Sequence, residues 1–241
     1  VTELSTEIPS RRHGLIEVLG ASCLLTVLVT AVSVWVPERY VATSVGLLFL
    51  AATYALVWRR DDAYVEACGL GLGGLVLSKG PGARATLHVA LKATALALGT
   101  AALVFVPFFF GWRSWWRPKA AFSLTIPWYE ILNESLGQLI IIALPEEAFY
   151  RGYMQSRLDQ VFPGRVRVLG AELGLGVIIT SVIFALGHLA TIRDATRLAV
   201  FFPSLLFGWM RARSKGVGAG VLFHALCNVF SELLGHGFHL Y

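Results

Sequence analysis

Charge is scarce in this 241-residue chain. Lysine and arginine number 20 and aspartate and glutamate 15, so 15% of the residues are charged, where soluble domains carry about 25%. Hydrophobic residues make up 56%, and they come in long blocks rather than short periodic ones. That balance excludes a soluble globular domain and is the composition of a helical protein crossing a membrane several times. Cysteine is sparse too: Cys23, Cys68 and Cys227 stand far apart with no C-x-x-C pair. An odd count without spacing excludes a disulfide framework and a cysteine metal cluster, and each thiol reads as a small hydrophobe. Internal repeats and low-complexity tracts are absent. The net charge of +5 is no nucleic-acid signal, because the basic residues gather between apolar blocks, as orientation in a membrane and contact with anionic headgroups require.

The apolar blocks predict an all-α polytopic bundle in one integral-membrane domain, 1–241. Spans are expected at about 15–36, 40–58, 87–111, 128–145 (with a helix continuing to about 161), 172–190, 197–212 and 217–234. Each long block is close to the ~20 residues that cross a hydrocarbon core. The stretch AYVEACGLGLGGLVLSKGPG, 63–82, is glycine-rich and weakly apolar; it reads as interfacial or re-entrant, and as an eighth span if it crosses. With the N-terminus cytoplasmic, thirteen basic residues fall inside: Arg11, Arg12, Arg59, Arg60, Lys79, Arg84, Arg151, Arg157, Arg165, Arg167, Arg211, Arg213 and Lys215. Six fall outside: Arg39, Arg113, Arg117, Lys119, Arg193 and Arg197, and Lys92 lies within the third span. The positive-inside rule favours that orientation. Arg11 and Arg12 before an apolar run loosely resemble a twin-arginine export signal. The run is too long for a signal core and no A-x-A-like site follows, so an uncleaved first span is the better reading.

Three short clusters put polar side chains inside apolar helices: Glu146, Glu147 and Arg151 in PEEAFYR, Phe184 and His188 in FALGH, and His224 and Asn228 in HALCN. Ionisable groups are costly within a membrane, so each is a functional candidate. Glu147 and Arg151 are spaced i, i+4 and can pair on one face. Glu146, about 100° further round the helix, has no local partner and is available as a general base. His224 and Asn228 share a face and could donate to an oxygen gaining negative charge. Cys227 points about 100° away from Asn228. Bland readings stand beside these: glutamates ending a span at the water interface, a packing histidine at 188, an interhelical clamp at 224 and 228. A carboxylate, two histidines and an asparagine on three spans favour convergence on one cavity, within a core at about 128–234. As simple spans, however, Glu146 ends near the cytoplasm and His188 near the outside. They meet if the fourth span runs on to about Phe162, or if the fifth begins near Arg165 and tilts.

The order E-E-x-x-x-R, F-x-x-x-H, H-x-x-x-N resembles the CPBP family of intramembrane proteases. That family takes in CAAX prenyl endopeptidases of the Rce1 type, Abi-like proteins and bacterial sorting proteases such as the myxosortases. The motifs stand as Glu146-Glu147-x-x-x-Arg151, Phe184-x-x-x-His188 and His224-x-x-x-Asn228. The resemblance implies hydrolysis of a peptide bond near the C-terminus of a membrane-anchored or lipidated protein, in a CAAX-processing or protein-sorting role. Glu146 would activate water, helped by His188; His224 and Asn228 would stabilise the oxyanion; Glu147, Arg151 and Phe184 would support the site. No cofactor is the favoured expectation, since the H-E-x-x-H zinc spacing is absent. The alternative is zinc on Glu146, His188 and His224. The partners implied are the substrate protein and the bilayer, with no nucleic acid, and the arginine-rich composition suggests a bacterial inner membrane. An Abi-type immunity or regulatory protein is the non-enzymatic alternative, and a transporter coupled to protons at Glu146 a weaker one, lacking inverted repeats.

Overall fold

The computed structural model describes residues 11–240; residues 1–10 and Tyr241, included in the expected domain, lie outside the described residues. Helix α1, Arg11–Trp35, buries one stripe, Gly14, Val18, Ser22, Leu25 and Val29, the i, i+4 spacing of a helix with lipid on its other faces. Pro37 then turns the chain into α2, Glu38–Trp58. The glycine-rich stretch does not form an eighth span. It makes the short helix α3, Asp62–Ala67, capped where Asp61 accepts from the Tyr64 N–H at 2.9 Å, and a 3-10 turn at Leu72–Gly74. Six helical residues followed by glycines at positive φ cannot reach across a bilayer.

Helix α4, Ala83–Trp116, packs through the small residues Ala93, Ala97 and Ala101, which let a neighbouring helix approach closely. Helix α5 spans 128–161 as a chain of segments: Trp128–Gly137, a π-helical stretch Gln138–Ala143, Leu144–Glu147, a second π-helical stretch Ala148–Gln155, and Ser156–Val161. Pro145 has no N–H to return to Ile141 four residues back, and the helix there opens to the wider pitch. Gly46 of α2 lies against the Ile141 carbonyl, where any side chain would collide with the oxygen. The long α5 thus supplies the first of the two routes by which Glu146 and His188 could meet. The second fails, because 166–173 forms a two-stranded hairpin, β1 Val166–Val168 and β2 Ala171–Leu173. Its two-residue turn holds Leu169 and Gly170 at φ 46° and 77°, the primed geometry that matches strand twist.

Helix α6, Leu175–Thr191, a 3-10 turn at Ala195–Val200, α7, Phe201–Ser214, and α8, Gly218–Gly237, complete the bundle. Helix thus occupies all seven expected runs. Among the described residues, four helices are long and apolar enough to cross a membrane: α1, α2, α4 and α8. Four of the seven expected spans meet that criterion. Helices α5 and α7 carry charged side chains, and α6 has 17 residues.

Two ends can be distinguished. At the first, Arg157 Nη2 meets Glu17 Oε2 at 2.9 Å, joining the end of α5 to the start of α1, and Arg211 donates to the Ala67 carbonyl at 2.8 Å. At the second, the Ser123 N–H donates to the Gly237 carbonyl at 2.8 Å, and Phe122 lies edge-on to Phe238 at 5.3 Å.

Candidate active site

Glu147 is the pivot. It is fully buried, and its two oxygens are divided between two partners. Oε2 lies 3.2 Å from Arg151 Nε, and Oε1 lies 3.2 Å from His224 Nδ1. The expected i, i+4 pair is therefore present, with a partner from α8 that the spacing within PEEAFYR could not reveal. The Arg151 contact is close in distance but poorly aligned for a hydrogen bond, so Coulomb attraction in low dielectric holds it. Arg151 is itself buried at 1% exposure. It is not the loop charge that an orientation count would make it. Nη2 donates to Ser204 Oγ of α7 at 3.1 Å, and the guanidinium lies over the rings of Phe184 at 4.9 Å and Phe207 at 5.3 Å. Aromatic faces are favourable partners for a desolvated cation. Gly220 of α8 leaves room for the carboxylate, since a β-carbon there would sit 3.1 Å from Glu147 Oε2.

The pivot fixes His224. A carboxylate only accepts, so Nδ1 carries the hydrogen and Nε2 presents its lone pair. The ring stacks on Phe207 at 4.7 Å with 13° between planes. Nε2 faces Glu146 Oε2 at 3.9 Å, beyond direct hydrogen-bond range. That oxygen of Glu146 is buried with no hydrogen-bond partner among the described residues. The two adjacent glutamates thus divide: one is saturated by Arg151 and His224, and the other is left poised.

His188 follows the same logic. Nδ1 lies 3.0 Å from the Phe184 carbonyl, which only accepts, so Nδ1 donates and Nε2 is free. Phe184 packs against both histidine rings, at 4.4 Å from His188 and 6.0 Å from His224. Glu146 and His188 line one cavity of about 200 Å³, walled by α1, α2, α5 and α6. Asn228, one turn beyond His224 on α8, has a partner on α5. Its Nδ2 donates to Gln138 Oε1 at 2.8 Å, and Gln138 Nε2 donates to Glu134 Oε1 at 2.8 Å. Because Glu134 only accepts, it sets the orientation of both amides.

Three further participants escape sequence reading. Gln138, Ser204 and Tyr150, which lines the cavity beside Glu146, belong to no spaced motif. Only a polar side chain within an apolar run could have flagged them. Glu146 and His224 offer two donor atoms to a cation, but among the described residues no group of three or more His, Cys, Asp or Glu side chains is arranged to hold a metal.

No curated protein matches this chain, and no solved structure matches it. Residues 127–230, the stretch that carries every one of these side chains, match the family model for type II CAAX prenyl endopeptidases of the Rce1-like group, a family of proteases.

Proposed function

We propose that this integral membrane protein is an intramembrane endopeptidase that hydrolyses a peptide bond near the C-terminus of a membrane-anchored or lipidated protein. One observation carries the reading: a buried carboxylate oxygen of Glu146, without a hydrogen-bond partner, faces the lone pair of His224 Nε2 in a site whose cavity also holds His188. Two acceptors opposed across 3.9 Å are placed to pass between them a proton taken from water. A carboxylate oxygen left without a donor is placed to take a proton from water as a general base.

Glu146 takes a proton from water as the oxygen attacks the scissile carbonyl, with His188 Nε2 accepting the second O–H. The proton passes between Glu146 and His224 Nε2. Glu147, bonded to Nδ1, stabilises the imidazolium as the carboxylate of a catalytic triad does. Imidazolium Nε2–H and the second N–H of Asn228 Nδ2 donate to the tetrahedral oxyanion. The C–N bond breaks when Glu146 returns the proton to the leaving amine. The chemistry is metal-free, with Glu146, His188 and His224 as the ligand set of the zinc alternative. A bacterial inner-membrane location, a cytoplasmic N-terminus and a sorting role of the myxosortase kind complete the proposal.

The test compares membranes of cells making the wild type or Glu146→Gln, scored for proteins that retain a C-terminal segment. A lost general base lowers turnover by about 10²–10⁴, so the segments accumulate in the variant. Equal processing by both would sink the reading.

A further inference from the structure

The cavity has a side. Its walls are Thr26, Val29 and Ser33 from the last turns of α1, residues 41–49 from the first half of α2, and Gly187 to Ile192 from the last turn of α6. All belong to the second end of the bundle. Glu146 and Tyr150, from the middle of α5, complete its lining.

Polar access runs the same way. The chain from Asn228 through Gln138 to Glu134 emerges in a groove of about 150 Å³, lined by Glu130, Glu134, Glu232 and His236, again at the second end. These hydrogen bonds tie Asn228, one turn from His224, to a charged groove at that end.

Toward the first end the site is sealed. All eight residues of Ala148–Gln155 are buried. Leu70, at 0% exposure, is pressed onto Gly152 so closely that a β-carbon there would lie 2.6 Å from Leu70 Cγ. Three hydrogen bonds pin this plug: Trp58 Nε1 to the Leu70 carbonyl at 3.4 Å, Arg211 Nη2 to the Ala67 carbonyl at 2.8 Å, and the Val217 N–H to the Gly69 carbonyl at 3.1 Å. Burial pushes the Tyr64 phenol up to about 12 and raises the Cys68 thiol above its ordinary range.

Charge identifies the ends. With Arg151 buried in the site and Lys92 within α4, twelve lysines and arginines lie at the first end and six at the second. Basic residues in short connections stay on the cytoplasmic side. We infer that the cavity is entered from the extracytoplasmic face, and that its substrates are exported, membrane-anchored polypeptides whose scissile bond lies on that side rather than lipidated tails presented by the cytoplasm. This substrate class rests on the endopeptidase reading; the sidedness does not.

Two measurements test it. Alkaline phosphatase or a green fluorescent protein is fused after Tyr241 of the full chain in a bacterial host. The phosphatase is expected to be active and the fluorescent protein dark, because α8 ends at the second end; the opposite pattern overturns the inference. In the comparison of wild type with Glu146→Gln, the termini of retained segments are then mapped onto the orientation of each substrate. Junctions on the exported side support the inference. Junctions in cytoplasmic segments overturn it while leaving the endopeptidase standing. If no protein retains a segment, the endopeptidase and its substrate class fall, and the fusions still decide the side.

Discussion

Helices α4 and α5 are each thirty-four residues long, yet α4 is continuous and apolar while α5 changes pitch along its length. Helix α4 buries three alanines and turns its large side chains, such as Leu103 at 78% exposure, outward. Helix α5 buries eight consecutive residues and carries both glutamates and the arginine. Helix α4 meets the length and hydropathy criterion for a span and carries none of the site residues, whereas α5, which does not meet it, holds both glutamates and the arginine. Hydropathy reports contact with lipid. Function requires a stretch of helix shielded on every side, as Ala148–Gln155 is, where polar groups meet protein partners instead of hydrocarbon. The π-helical stretches flanking Glu146 and Glu147 fit this division, since wider turns within helices recur at functional sites.

The comparison breaks most severely at Arg151. Replacing it with Met keeps the volume but leaves Glu147 a buried charge without its cation, held only by His224 Nδ1–H. The expected loss is about 3–5 kcal/mol, read as a lowered unfolding temperature in detergent. Glu147→Gln in the same background should restore part of it, because the charge left behind is then gone. A variant as stable as the wild type would mean that α5 is no more demanding than α4.

A smaller effect is expected where α4 meets α8. Ala97 is fully buried on the alanine stripe. Ala97→Leu overpacks that contact and should cost about 1–3 kcal/mol by the same unfolding measurement. Turnover per folded molecule should stay close to wild type, because the cavity is walled by α1, α2, α5 and α6. Loss of turnover without loss of stability would place α4 in the chemistry.

Much of this was legible from residues alone, and the remainder has identifiable causes. The helical runs follow from apolar block length, and the pairing of Glu147 with Arg151 from i, i+4 geometry. What spacing within one helix cannot show is which neighbour arrives opposite. His224 on Glu147, Gln138 on Asn228 and Ser204 on Arg151 are contacts across 77, 90 and 53 residues. The 63–82 stretch was open between surface and span because its glycines and leucines suit both. Its closure over Gly152 depends on a cleft that other helices make. The 166–173 hairpin was invisible because its strands, V-R-V and A-E-L, alternate over only three residues each, too short a run for periodicity to mark a strand.

The subtlest test lies within α5, at Gln138. Asn228 and Gln138 bond at 2.8 Å, so removing either should disturb the same interaction. Gln138→Leu and Asn228→Ala are each expected to lower turnover. The double variant should fall short of the product of the two, with a coupling energy of about 0.5–3 kcal/mol. If the relay acts by orienting the amide, Gln138→Leu lowers kcat with little change in KM, because an interaction made only in the transition state has been weakened. Glu134→Gln removes the group that dictates the orientation of both amides. Its effect should be smaller still, about that of one exposed hydrogen bond, since the Gln138–Asn228 bond can persist with the amides reversed. Strict additivity of Gln138→Leu and Asn228→Ala would show that Gln138 merely packs, as the alanines of α4 do.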